Sequence, residues 1–171
     1  MTKGLSLTTI GIAVLVAFPA RAATAPMVKL ADIHDLPVVE MHPYVESANS
    51  DASVRAAFAR ARKSGKRVLI DLGGNWCGDC IVLANIMQLP ELKPFLAAHF
   101  EMVSVDVGQF DKNLQIPAQF GITKRLEGVP AILVVEPDGK TLVDAGHVSA
   151  LADARHMTPQ GLADWLAQWA K

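Results

Sequence analysis

The sequence predicts an α/β layer sandwich: a central mixed β-sheet flanked by helices, with an N-terminal extension ahead of it. Three observations carry this expectation. Apolar runs of strand length occur at 67–72, 100–107 and 131–136, helical patterns separate them, and a Pro137-Asp138-Gly139 turn follows the third run.

Taken in order, residues 23–50 are rich in Pro, His and Ala with little periodicity, and read as an extended lead-in with one edge strand at most. From Asp51 to Lys63 the pattern is helical, with Val54, Phe58 and Ala61 on one face and Gly65 at the stop position. Arg67-Val-Leu-Ile-Asp-Leu is a buried-strand run, and after Gly73-Gly-Asn-Trp-Cys-Gly-Asp-Cys80 the helical spacing returns through Leu89. Pro90 and Pro94 demand a kink or restart before Phe95. Phe100–Val107 alternates as a strand does, and Leu114–Phe120 reads as a short helix ending at Gly121. Ala131–Glu136, the Pro-Asp-Gly turn and Lys140–Asp144 predict an antiparallel hairpin. Thr158-Pro159 caps a last amphipathic helix carrying Leu162, Trp165, Leu166 and Trp169.

The 171 residues, 51% of them hydrophobic, suffice for one sizeable core, so residues 51–171 form the single expected globular domain. A formal net charge of −1 and the lack of any Lys/Arg run argue against nucleic acid as a partner. Residues 1–22 combine Lys3, an apolar run from Leu5 to Phe18 and an Ala20-Arg21-Ala22 site, which is the pattern of a cleaved signal peptide. That apolar run is shorter than the roughly 20 residues needed to span a bilayer. Export would place the chain in a periplasm, where its thiols meet an oxidising environment.

Cys77 and Cys80 are the only cysteines, and three roles compete for them. As a staple the pair is weak: closing so short a loop contributes roughly 2 kcal/mol, against about 4.7 for a loop of about 100 residues. A structural zinc site needs about four ligands, and no second C-x-x-C or spaced histidine pair accompanies this one. Two thiolates alone do suit copper(I), so a copper carrier stays open as the alternative function. Redox exchange is favoured by placement, because Cys77 falls at a helix start, where unpaired N–H groups and the macrodipole stabilise an anion by up to ~2 kcal/mol. That would bring a thiol from about 8.5 to near 7, leaving Cys77 as nucleophile and Cys80, one turn on, as the resolving thiol.

Trp76-Cys77-Gly78-Asp79-Cys80, preceded by Val68-Leu-Ile-Asp71-Leu and followed by Gly128-Val129-Pro130, resembles the thioredoxin family over residues 51–171. The resemblance implies the thioredoxin fold and thiol-disulfide oxidoreductase activity without a cofactor or metal. Its implied partners are disulfide-containing exported proteins and a membrane electron donor. It also implies roles for neighbours: Trp76 packs beside the nucleophile, Asp71 is the buried acid that moves a proton at the resolving thiol, and Pro130 is the cis proline facing the disulfide. Val129, Gly78 and Asp79 fall where an extended substrate segment pairs and docks. Two departures stand out, since Asp79 replaces the proline common between the cysteines of reducing members, and Met102 or Val103 falls where a lysine often partners the buried acid. The segment Thr123–Gly128 lengthens the approach to Pro130.

Asp79 also bears on the direction of electron flow. A bare carboxylate near Cys77 opposes the thiolate, and strongly oxidising centres need a very stabilised thiolate. A protein that reduces or isomerises disulfides is the expectation.

Overall fold

Residues 23–37 and 41–171 are described by the structure, a computed structural model; the expected signal segment, residues 1–22, lies outside them. Strand β1 (Arg67–Gly73) forms the centre of a three-stranded sheet, with β2 (Phe100–Asp106) parallel on one side and β3 (Ala131–Val135) antiparallel on the other. The mixed sheet of the sequence-based expectation is therefore present. Asp71 sits opposite Ser104 of β2 and Ile132 of β3.

Period-two alternation splits the apolar residues of β1 between two cores. Val68, Ile70 and Leu72 pack with Val54, Ala57, Phe58 and Ala61 of helix α1 (Ser50–Ser64). Leu69 joins Leu83 and Ile86 of α2 (Gly78–Met87) and Leu162 and Leu166 of the last helix, α5 (Pro159–Ala167). Each fully buried Leu or Ile of these cores contributes about 1.5–3 kcal/mol relative to exposure.

Caps set the helix ends. Asn49 accepts the Ala52 N–H at 3.0 Å to start α1, and Gly65, left-handed at φ 76°, stops it. Thr158 accepts the Gly161 N–H at 3.0 Å and Pro159 opens α5. The prolines produce a break: α2 ends at Met87, and α3 (Leu92–His99) restarts at 88° to it. Pro94 falls in the first turn of α3, where a missing N–H costs nothing. Helix α4 (Gln115–Ala118) is one short turn.

One expectation fails in part. The hairpin keeps β3, but its second arm is reduced to one bridge, Val135 to Leu142. The reason is Asp144, whose side chain turns inward and accepts the Val134 N–H at 3.0 Å, in place of the carbonyl that a regular fourth strand would supply. Burial pushes the Asp144 carboxyl up to about 6, against the lowering effect of that N–H. The lead-in, in turn, forms no edge strand among its described residues. It carries one 3-10 turn (Ile33–Asp35), places Val28 and Ile33 in the second core, and sends Tyr44 into the first.

Candidate active site

Strand β1 runs straight into α2, and the turn between them holds the cysteines. Cys77 caps α2: its Sγ accepts the Cys80 N–H at 3.2 Å, and the two residues are joined as a disulfide. The pair is asymmetric, since Cys80 is fully buried whereas Cys77 is 6% exposed. An incoming thiolate or disulfide therefore meets Cys77 first.

Above the pair lies the loop that enters β3. The Val129–Pro130 peptide bond is cis, and the Val129 carbonyl oxygen stands 3.3 Å from Cys77 Sγ. A Cβ on Gly128 would come within 2.6 Å of Ala152 Cβ, so only glycine lets this loop lie against the segment before α5.

Trp76 is 48% exposed beside Cys77, and its indole N–H donates to the Gly108 carbonyl at 2.8 Å. Its ring lies 6.0 Å from Phe110, over which the Arg125 guanidinium is stacked at 4.2 Å. The Thr123–Gly128 segment is thus tied to the tryptophan through Phe110. The same segment borders a cleft of about 240 Å³ lined by Lys124, Arg125, Glu127, Gly146 and Ser149 among others.

Asp71 is 1% exposed, and burial pushes its carboxyl up to about 7, a rise limited by the Tyr44 hydroxyl. That hydroxyl donates to Oδ1 at 2.9 Å and is 3.0 Å from Oδ2. Tyr44 is itself held by Asn75, which accepts the Tyr44 N–H at 3.2 Å and donates to its carbonyl at 2.8 Å. A Cβ on Gly73 would lie 2.5 Å from the Tyr44 hydroxyl and 2.9 Å from Cys80 Sγ, so the hydroxyl and the buried sulfur flank one point. Sequence reasoning assigned no chemistry to the lead-in and missed Tyr44. The available signals were its status as the only tyrosine and a glycine at a strand end, a mark of close backbone approach.

Asp79 requires a correction. The expectation rested on a bare carboxylate near Cys77, whereas Arg155, from the 3-10 turn Ala154–His156, grips it. The guanidinium contacts Asp79 at 2.5 and 3.0 Å, and the Arg155 backbone N–H adds a bond at 2.9 Å. Burial raises the Asp79 carboxyl, but the Arg155 hydrogen bonds and charge outweigh it and hold the group below its ordinary value. Arg155 also covers Gly78, with Nη2 3.6 Å from where a Cβ would be. The field at Cys77 is that of an ion pair, not of a lone anion.

The site as a whole brings Cys77, Cys80, Trp76, Gly78, Asp79, Val129 and Pro130 together at one end of the sheet, with Asp71 bonded to the Tyr44 hydroxyl that approaches Cys80 across Gly73. This is a dithiol–disulfide centre with an accessible and a protected sulfur. A model of the thioredoxin-like family matches residues 49–137, just over half of the chain. The crystal structure of a disulphide isomerase from Xylella fastidiosa Temecula1 superposes with a TM-score of 0.69 at 36% identity, covering 75% of this chain and 97% of that one. Thiol:disulfide interchange protein DsbD 1 of Pseudomonas aeruginosa is 34% identical over 97 residues, 55% of this chain and 15% of that protein. A thioredoxin of Alicyclobacillus acidocaldarius is 37% identical over 67 residues, 39% of this chain and 59% of its own length. The chain thus spans less than two thirds of either of these two relatives. The chain belongs to the thioredoxin-like family, and the chemistry of its Cys77–Cys80 pair is thiol-disulfide oxidoreduction.

Proposed function

We propose that this protein is a periplasmic thiol-disulfide oxidoreductase that reduces or isomerises disulfides of exported proteins and is kept reduced by a membrane electron donor. Export rests on the signal pattern of residues 1–22, with cleavage after Ala22 leaving the lead-in, 23–50, and the thioredoxin-like domain, 51–171. Cys77 is the nucleophile: its thiolate attacks a substrate disulfide, one substrate sulfur leaves as a thiolate, and a mixed disulfide forms. Cys80 then loses its proton to Asp71 and attacks Cys77 Sγ, releasing the second substrate thiolate. Two electrons have passed from the protein dithiol to the substrate. Trp76, Gly78, Asp79 and Val129 form the substrate-facing rim, with Pro130 opposite the disulfide and the Thr123–Gly128 segment extending it.

The observation that carries the reducing direction is the Val129 carbonyl, 3.3 Å from Cys77 Sγ. A carbonyl oxygen accepts a hydrogen bond from a thiol but repels a thiolate, so it stabilises the anion less than a donor would. A strongly oxidising centre needs the opposite arrangement. The test is insulin reduction by the mature chain with dithiothreitol as electron source. Turnover in the wild type and its loss in Cys77→Ser supports the reading. A wild type that is inactive but binds copper(I) stoichiometrically through both cysteines replaces it with the carrier. A reduction potential well above about −200 mV overturns the direction.

A further inference from the structure

We propose that Tyr44, supplied by the lead-in and not by the thioredoxin-like domain itself, is the positioning residue that keeps the Asp71 carboxylate available to take the Cys80 proton. The inference rests on the exchange reaction above and names the group on which its second step depends.

Asp71 lies in the middle of a sheet, between Ser104 and Ile132. Burial of this kind favours the protonated acid, which cannot accept a proton. Among the described residues no lysine offsets that cost. The shift on Asp71 comes from burial and from Tyr44, and the second titratable group placed close by is Cys80, across Gly73. The Tyr44 hydroxyl faces both carboxylate oxygens at hydrogen-bonding distance, a contact that favours the ionised form because a carboxylate accepts more strongly than a carboxylic acid. Burial and the neighbouring carboxylate in turn raise the tyrosine pKa, so it remains a protonated donor at neutral pH.

Three features aim the side chain there. Asn75 clamps both backbone groups of Tyr44, Gly73 leaves room for its ring, and the ring is 1% exposed. During resolution the S–H bond of Cys80 breaks, its proton passes to Asp71, the Cys77–Cys80 bond forms and the substrate thiolate leaves. The Tyr44 hydroxyl stays bonded to the carboxyl throughout and loses no proton.

The test compares full-length mature wild type, Tyr44→Phe, Asp71→Asn and the double variant. Each is reduced and mixed with glutathione disulfide, and release of the second glutathione is followed against pH. In Tyr44→Phe the pH at half-maximal resolution rate should rise by about one unit, giving about fivefold slower release at neutral pH and wild-type rates at alkaline pH. Adding Tyr44→Phe to Asp71→Asn should change nothing further. A wild-type profile in Tyr44→Phe, or an equal slowing at every pH, overturns the inference. Because Tyr44 is the only tyrosine, fluorotyrosine can replace it by biosynthetic incorporation should the Phe variant not fold. The stronger donor should move the half-maximal pH downward, and an unmoved profile overturns the inference as well. Failure of wild type to form any mixed disulfide at Cys77 would instead sink the exchange reaction itself.

Discussion

Two aspartates flank the cysteine pair, and they behave in opposite ways. Asp71 and Asp79 are both buried, at 1% and 6% exposure, yet the carboxyl of the first is pushed up to about 7 and that of the second is held below its ordinary value. Burial acts upward on both, more strongly on Asp71, and the partners widen the gap: a neutral hydroxyl faces Asp71, whereas a guanidinium grips Asp79. A hydroxyl donor offsets part of a desolvation cost, and a cation offsets more than all of it. One acid is thereby left able to exchange a proton near neutrality, and the other is fixed as half of an ion pair.

The largest expected effect comes from removing the titrating member. The folded pKa of Asp71 lies above its unfolded value, so between about pH 4 and pH 7 the native state holds the extra proton. Its contribution to stability is greatest below the unfolded value and is lost as pH rises through about 7. Asp71→Asn keeps the shape and an acceptor for Tyr44 but cannot ionise. The oxidised variant should therefore gain up to ~4 kcal/mol over wild type at about pH 8 and little at about pH 4, read from denaturant midpoints. Equal gains at both pH values would mean that Asp71 carries no such shift.

The neutral partner can be disturbed without touching either acid. In Gly73→Ala the new Cβ meets the Tyr44 ring and the Cys80 sulfur at less than 3 Å, and both must move. Overpacking of this kind costs about 1–3 kcal/mol. The loss should be larger at high pH than at low pH, because an ionised Asp71 without its hydroxyl donor is the more costly state. A loss independent of pH would separate Gly73 from the tyrosine contact.

What the sequence disclosed and what it hid follows the same division. The stop at Gly65, the break at Pro90, the caps at Thr158 and the helix start at Cys77 depend on neighbours within a turn, so local pattern reveals them. Burial of Asp71 was legible through the resemblance alone, which places a buried acid six residues before Cys77. The partners were not legible, since Tyr44 lies 27 residues from Asp71 and Arg155 lies 76 residues from Asp79. Asp144 misled for a related reason: its polar side chain looked like a strand end, whereas it turns inward and takes over a ladder hydrogen bond. Local chemistry predicts that a group needs a partner but does not say which distant residue supplies it.

The smallest effect sharpens the charged half of the comparison. Arg155→Ala leaves the Asp79 carboxylate beside Cys77 without its cation, restoring the bare charge that the motif alone suggested. An unpaired anion disfavours a neighbouring thiolate, so alkylation of reduced Cys77 at neutral pH should slow about two- to threefold. The reduced form loses the same factor in stability, and the reduction potential should fall by about 10 mV. Asp79→Asn alone should change either quantity less, because it removes an anion whose charge was already compensated while freeing a cation that is half exposed to water. The double variant should return the alkylation rate close to that of wild type, since it removes the carboxylate together with the cation that compensated it. If Arg155→Ala instead leaves alkylation unchanged while Asp79→Asn accelerates it, the carboxylate reaches Cys77 despite its partner, and the ion pair does not insulate the nucleophile.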